Sequence, residues 1–432
     1  MSESSAPSTT DPSLQSWIPV PADSDFPVQN LPFGVFSAGA GLPRVGVAIG
    51  DRILNCDVLA ESGFLDDVVD RELLQAPTLN PFFAAGRETW RAVRTRISQL
   101  LREGGDPAFR ERAHERDAIV RMAEARVHLP AEVGDYVDFY SSLQHATNLG
   151  KIFRPGGDPL MPNWRWMPIG YHGRAGTLVV DGTPVHRPSG QRRPPNADAP
   201  KFGPSTRLDI ELEVGFFTGP GNAIGTPIPV ADAPEHIYGL VLVNDWSARD
   251  VQAWEYQPLG PFLGKSFATT VSPWVVSLDA LEPFRVAGPA QEPAPLPYLN
   301  ASGAWNYDVH LTVELRTRQM REKHLGAEVV TTTNFRDMYW NMAQQLAHAT
   351  ANGAAARPGD LFASGTISGD APGSLGSFIE MTWNGRDPIV LPTGERRTFL
   401  EDGDEVTLRG WCERPGARRI GFGTARGTIV AQ

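Results

Sequence analysis

Cysteine is nearly absent from this chain. Two occur in 432 residues, Cys56 and Cys412, and neither has a C-x-x-C neighbour. That excludes a zinc knot and a redox pair and points to a reducing compartment. Long apolar runs are missing as well. No stretch approaches the ~20 apolar residues that span a bilayer, and no basic-then-apolar leader opens the sequence. The chain is therefore expected in the cytoplasm, where the Asn300-Ala-Ser sequon would be fortuitous. A basic excess is lacking too. Lys and Arg total 39 against 50 Asp and Glu, a net charge of -11, which argues against nucleic acid as the main partner. There is no internal repeat and no solenoid period.

What is present reads as an ordinary globular protein, 41% hydrophobic and 21% charged, long enough for two or three domains. Residues 1–16 are rich in Ser, Thr and Pro, and a disordered tail is expected there. In 17–130, G-V-A-I, G-D and R-I-L signal a hairpin. Asn80-Pro81 opens an expected helix carrying Phe83, Trp90, Val93, Ile97 and Leu101 on one face, and a second helical stretch follows Asp106-Pro107. Near His128-Leu129-Pro130 the character changes to many short strands with frequent Gly/Pro turns, which sets the expected domain boundary, with 131–432 as the second unit. Within it, Glu282 to Leu299 reads as a Pro-rich connection. A helix capped by Asn334 is expected to run to about Asn352, and strands are expected near Phe378, Val406 and Ile420.

The densest chemistry lies between Asn244 and Trp274. N-D-W-S-A-R-D, V-Q-A-W-E-Y and G-P-F-L-G-K-S bring Asp245, Arg249, Asp250, Gln252, Tyr256 and Lys265 among Trp, Phe and Pro. The apolar run Gly239–Val243 predicts a buried strand that ends at Asp245. Leu208–Val214 alternates apolar with acidic residues, so a strand would place Asp209, Glu211 and Glu213 on one face. That face is either exposed or buried. The apolar continuation Val214–Phe217 favours burial, and buried like charges need a counter-ion, most simply a metal. Oxygen ligands without His or Cys favour a hard cation, Ca²⁺ or Mg²⁺.

A third segment, 134–150, carries Asp138, Tyr140 and His145, the last a natural general base near neutral pH. Glu380 stands in S-F-I-E-M-T-W. Read as a strand, this run either leaves Glu380 and Thr382 in water or buries Glu380, which then needs a partner. His145 would satisfy that need and gain an orienter. One decoy is set aside. Gly260–Ser266 resembles a phosphate-binding loop, but is one residue short between its glycines and has Pro261 where an amide is needed. His172, His186, His236, His310, His324 and His348 lack ligand spacing, and Trp246, Trp254 and Trp274 read as packing.

N-D-W-S-A-R-D, G-P-F-L-G-K-S and E-L-E together resemble the fumarylacetoacetate hydrolase superfamily. D-F-Y-S-S-L-Q-H-A-T-N (138–148), M-P-N-W (161–164), Y-H-G-R (171–174) and A-S-G-T-I-S-G (363–369) narrow the resemblance to its carbon–carbon hydrolases. It covers nearly the whole chain from about Trp17. The implied fold is mainly β with some α: a small N-terminal β-rich, SH3-like domain and a larger C-terminal mixed β-roll, assembled as a homodimer. Asp138, Glu211, Glu213 and Asp245 would hold Ca²⁺, and Asp245, Lys265 and Thr269 a nearby Mg²⁺. His145 would be the base and Glu380 its orienter, with Lys265, Arg249 and Gln252 around the developing negative charge. Tyr140, Arg154, Tyr171, Gln252, Tyr256 and Thr366 would bind substrate. Leu143, beside the base, and the charged stretch Arg316–His324 depart from the family pattern. The implied reaction is hydrolysis of 4-fumarylacetoacetate to fumarate and acetoacetate, the last step of tyrosine and phenylalanine breakdown. Rival readings are another superfamily enzyme, such as an acylpyruvase or keto-acid decarboxylase, and a non-catalytic Ca²⁺ module. The His-bearing segment argues against a decarboxylase, and His145, Lys265 and Arg249 together argue against the module.

Overall fold

In the computed structural model, which describes residues 8–113, 118–194 and 196–431, the centre is a mixed sheet whose inner strands are buried on both faces. Its order is Gly170–His172, Tyr136–Phe139, Leu361–Ala363, Leu212–Thr218, Ile237–Asp245, Thr269–Val271 and Leu178–Val180, with Val276–Ser277 also paired to Ile237–Asp245. Most neighbours are antiparallel. Leu361–Ala363 runs parallel to Tyr136–Phe139, and Thr269–Val271 parallel to Leu178–Val180.

The strand Ile237–Asp245 shows why such a strand reads as one continuous apolar run. Leu240 and Leu242 point into the larger core of the C-terminal part, with Leu311, Leu408 and Phe422. Tyr238, Val241 and Val243 point the other way, into a core shared with Val35, Val47, Phe82, Trp90 and Val93 from the N-terminal part. That N-terminal part is a five-stranded antiparallel sheet, ordered Ile119–Arg121, Arg52–Asn55, Arg44–Ile49, Phe33–Ala38, Ala125–His128, with helices beside it. The expected hairpin is Arg44–Ile49 with Arg52–Asn55. A second five-stranded sheet, Glu328–Asn334, His310–Arg316, Glu405–Cys412, Ile420–Val430 and Val185–His186, closes the other side. The expected strands near Val406 and Ile420 belong to it. The carboxyl-bearing strand ends therefore sit at one end of a sheet held rigid by packing on both faces.

Several expected elements differ. The helix from Asn80 is two helices, Asn80–Ala84 and Arg87–Leu101, because Gly86 takes φ 84° between them. Asp106 caps Pro107–Arg112 as its sequence suggests. Asn334 caps only a single turn, Phe335–Asp337. The helix proper is Met342–Thr350, and its cap is Asn341, paired with Gln344 in a capping box. The run around Phe378 is not a strand but one helical turn, Phe378–Met381. The alternating acidic segment is not one strand either. It breaks at Ile210 and Glu211, between Leu208–Asp209 and Leu212–Thr218. Residues 1–7 of the expected tail lie outside the described residues. From Ser8 the chain is placed, with the Gln29 amide donating to the carbonyls of Asp11 and Leu14.

Candidate active site

The base segment is built first by a helix start. Ser142 caps Leu143–Phe153 by accepting from the His145 amide, which fixes His145 in the first turn, buried. Leu143 takes the first helical position and packs against the core. His145 Nδ1 lies 2.6 Å from Glu380 Oε2. Glu380 is fully used as an acceptor. Asn148 donates to Oε1 at 3.0 Å, and Ser368 and Ser377 donate to Oε2 at 2.9 and 2.7 Å. Burial by itself would push the Glu380 carboxyl up. His145 and these donors outweigh it and hold the group below its usual value. It is therefore a carboxylate, Nδ1 carries the proton it accepts, and Nε2 is left as the basic nitrogen. The Tyr140 ring stands edge-on to the imidazole, 5.3 Å between centroids.

The acidic group comes from four places in the chain. Asp138 sits on Tyr136–Phe139, Glu211 in the break before Leu212–Thr218, Glu213 on that strand, and Asp245 at the end of Ile237–Asp245. All four are buried, and each offers a carboxylate oxygen within 4.8 Å of the others. Asp138 Oδ1 and Glu213 Oε1 find no hydrogen-bond partner among the described residues. Burial, followed by the neighbouring acids, drives the Asp138 and Glu213 carboxyls well above the ordinary range. Burial opposes Glu211 as well, but Lys265 and Arg249 outweigh it and hold its carboxyl well below. A set of hard oxygens with two orphaned acceptors fits a divalent cation. Glu213 Oε2 accepts from the Gly365 amide at 3.0 Å. That approach requires glycine, since φ is +77° and a Cβ would stand 2.0 Å from the Phe139 carbonyl oxygen.

Cations of the chain face these acids. Lys265 Nζ contacts Glu211 Oε2 at 2.5 Å and Asp245 Oδ2 at 2.8 Å. Burial works against its charge, yet Asp245 and Glu211 prevail and keep the ammonium above its usual value. Arg249 opens the helix Arg249–Glu255 and reaches Asp209, Glu211 and Gln252. Thr269 donates to Asp245 Oδ1 at 2.7 Å and Tyr171 to Oδ2 at 3.0 Å. Burial and then Asp138 and Asp245 keep the Tyr171 phenol protonated, so it donates.

One cleft of about 430 Å³ brings these parts together. Asp138, Tyr140, His145, Arg154, Tyr171, Glu211, Arg249, Gln252, Tyr256, Lys265 and Thr366 line it. Glu213, Asp245, Thr269 and Glu380 stand behind that wall. Arg154 ends the Leu143–Phe153 helix, exposed, with Nη2 on the Pro159 carbonyl. The Thr366 hydroxyl is buried without a partner among the described residues. The sequence reading missed Asn148, Ser368 and Ser377 around Glu380, and the separate course of Asp209. Ser377-Phe-Ile-Glu380 is a S-x-x-E pattern, which marks a helix start and could have replaced the strand assignment.

Residues 136–430 match the family described as Fumarylacetoacetate (FAA) hydrolase C-terminal, and residues 29–130 that described as Fumarylacetoacetase N-terminal. The chain is 50% identical over 418 residues to the fumarylacetoacetase of Rattus norvegicus and to that of Homo sapiens, covering 96% of this chain and 98% of each relative. It is similar in fold to the solved fumarylacetoacetate hydrolase from psychrophilic Exiguobacterium antarcticum, with TM-score 0.50 and 16% identity, covering 93% of this chain and all of that one. With both parts matched, and with half of its residues shared with full-length relatives, this chain belongs to the fumarylacetoacetate hydrolase family.

Proposed function

We propose that this protein hydrolyses the carbon–carbon bond of 4-fumarylacetoacetate, adding one water to give fumarate and acetoacetate. The observation that carries the reading is a buried His–Glu pair whose imidazole lines the same cleft as two of four converging carboxylates and two cations. A binding module has no use for a base with its own orienter, and the identity to full-length fumarylacetoacetases supports this substrate over those of other family members.

The chemistry follows from the side chains. His145 Nε2 takes a proton from water while Glu380, on Nδ1, stabilises the imidazolium that forms. The hydroxide equivalent adds to the ketone carbonyl next to the fumaryl double bond. Negative charge then grows on that oxygen, where Lys265, Arg249 and Gln252 are the preorganised donors. The bond to the neighbouring methylene breaks, its electron pair leaves as the enolate of acetoacetate, and the proton on His145 is available to the departing carbon. Arg154 suits a substrate carboxylate, and Tyr140, Tyr171, Tyr256 and Thr366 border the space beside it. A hard cation held by Asp138, Glu211, Glu213 and Asp245 would polarise the diketone oxygens as a Lewis acid. Four oxygen donors of this kind favour Ca²⁺. A Mg²⁺ beside Asp245 and Thr269 would draw on the Lys265 carbonyl, since its ammonium cannot ligate.

We infer a cytoplasmic setting from the scarcity of cysteine and of apolar runs, the domains 17–130 and 131–432 from the change of sequence character near Pro130, and a homodimer from the family resemblance. Both cysteines are free and buried, and among the described residues no helix is long and apolar enough to cross a membrane. The test is to mix purified protein with 4-fumarylacetoacetate and follow loss of the diketone absorbance, with and without chelator. Loss that chelation stops is expected. Unchanged absorbance would remove the proposal.

A further inference from the structure

We propose that Asp209 is a positioning residue that holds Arg249 and the Glu380-bearing turn on one carboxylate, and so keeps the oxyanion donor in register with the base pair. The idea rests on the functional reading above. Asp209 is wholly buried, yet it lies apart from the four converging acids. Its oxygens accept from four donors. Oδ1 takes the amides of Ile210 at 2.8 Å and Phe378 at 2.6 Å. Oδ2 takes the Ile379 amide at 3.0 Å and Arg249 Nε at 2.8 Å.

Two of those donors belong to the turn Phe378–Met381. Amides at a helix start have no acceptor within the helix. Ser377 precedes them but does not cap them, because its hydroxyl is spent on Glu380. Asp209 supplies the missing acceptor from a distant part of the chain, and thereby fixes where Glu380 stands. The other partner, Arg249, is held by a fork. Nε is on Asp209, and Nη1 is on Glu211 at 2.9 Å and Gln252 at 3.1 Å. Nη2 is buried and has no partner among the described residues, and Arg249 lines the cleft. With Nε and Nη1 occupied, Nη2 is the nitrogen left for the developing oxyanion. A carboxylate is required at 209 because every neighbour is a donor. Asparagine would set an NH₂ against an amide or a guanidinium.

The test is a pair of double-mutant cycles on fumarylacetoacetate hydrolysis, joining Asp209→Asn to Arg249→Gln and to Glu380→Gln. Expected for Asp209→Asn is a kcat lower by about 10- to 100-fold, the usual range for a group supporting a working residue, with KM changed only slightly. In both double variants the combined loss should fall well short of the product of the single losses. The second readout is the His145 Nδ1 proton resonance, which Asp209→Asn should shift. A wild-type kcat, multiplicative losses in both cycles, or an unmoved resonance would overturn the proposal. Should the wild type fail to hydrolyse this diketo acid, the functional reading falls, and the resonance still decides the role of Asp209. Should Asp209→Asn fail to fold, Arg249→Lys takes its place, since one ammonium cannot make the fork. A shifted resonance in that variant supports the proposal, since loss of the oxyanion donor lowers kcat in any case, and an unmoved resonance overturns it.

Discussion

Glu213 and Glu380 are residues of one type, both fully buried within one site, and the fold treats them oppositely. Glu380 meets His145, Asn148, Ser368 and Ser377, and its carboxyl is held below the usual range. Glu213 has one backbone amide on Oε2 and nothing on Oε1, and its carboxyl is driven well above that range by burial and by Asp138. A buried carboxylate without donors costs several kcal/mol unless it is protonated or joined by a cation. The protein completes the His145–Glu380 side from its own residues. On the other side it leaves Asp138 Oδ1 and Glu213 Oε1 without a partner among the described residues, in a cluster that could hold a metal ion.

Substituting the self-completed side should have the largest effect on turnover. His145→Ala is expected to cut hydrolysis by about ten-thousandfold, at the upper end for a general base, while leaving divalent-cation binding unchanged. Near-normal turnover in this variant would move water activation elsewhere in the cleft. Lys265→Met comes next, with kcat expected to fall by roughly a hundred- to a thousandfold. If KM rises instead while kcat holds, Lys265 binds substrate rather than meeting the oxyanion. Glu380→Gln should impair turnover less severely than His145→Ala, because the ring remains but loses its counter-charge. Steady-state kinetics of the three variants ranks them.

The sequence displayed the acids of this comparison more clearly than their surroundings. Glu211, Glu213 and Asp245 were legible because each is embedded in an apolar, strand-like run whose burial could be argued from the run itself. His145 with Glu380 was legible only as a matching of needs, one ring wanting an acceptor and one acid wanting a donor. The donors from Asn148, Ser368 and Ser377 depend on tertiary approach, which no local pattern reports. Asp209 was hidden for another reason. Strict alternation set it on one face with Glu211 and Glu213, and the break at Ile210 and Glu211 redirects it to Arg249 and the Phe378–Met381 turn. Elements failed where one residue interrupts a period: Gly86 divides the first long helix, and Asn341 rather than Asn334 begins the later one.

The smallest expected effect is on stability against pH, and here the two sides carry opposite signs. In cation-free protein the raised Asp138 and Glu213 carboxyls keep protons to higher pH than the unfolded chain does. Stability should therefore fall as pH rises from the ordinary carboxylate range through their raised values. The Glu380 contribution is present above the ordinary carboxylate pKa and is lost as pH falls through its lowered value. Thermal unfolding of chelator-stripped protein across pH should show the first trend, and saturating Ca²⁺ should abolish it. A melting temperature that declines equally with and without the cation would mean the acids are not its ligands.

The most direct test of an externally completed carboxylate group is a calorimetric titration of stripped wild-type protein with Ca²⁺ near pH 7, in two buffers of different ionisation enthalpy. Expected is saturable binding, with protons released to the extent that the raised Asp138 and Glu213 carboxyls hold them before the cation enters. No saturable binding would contradict it.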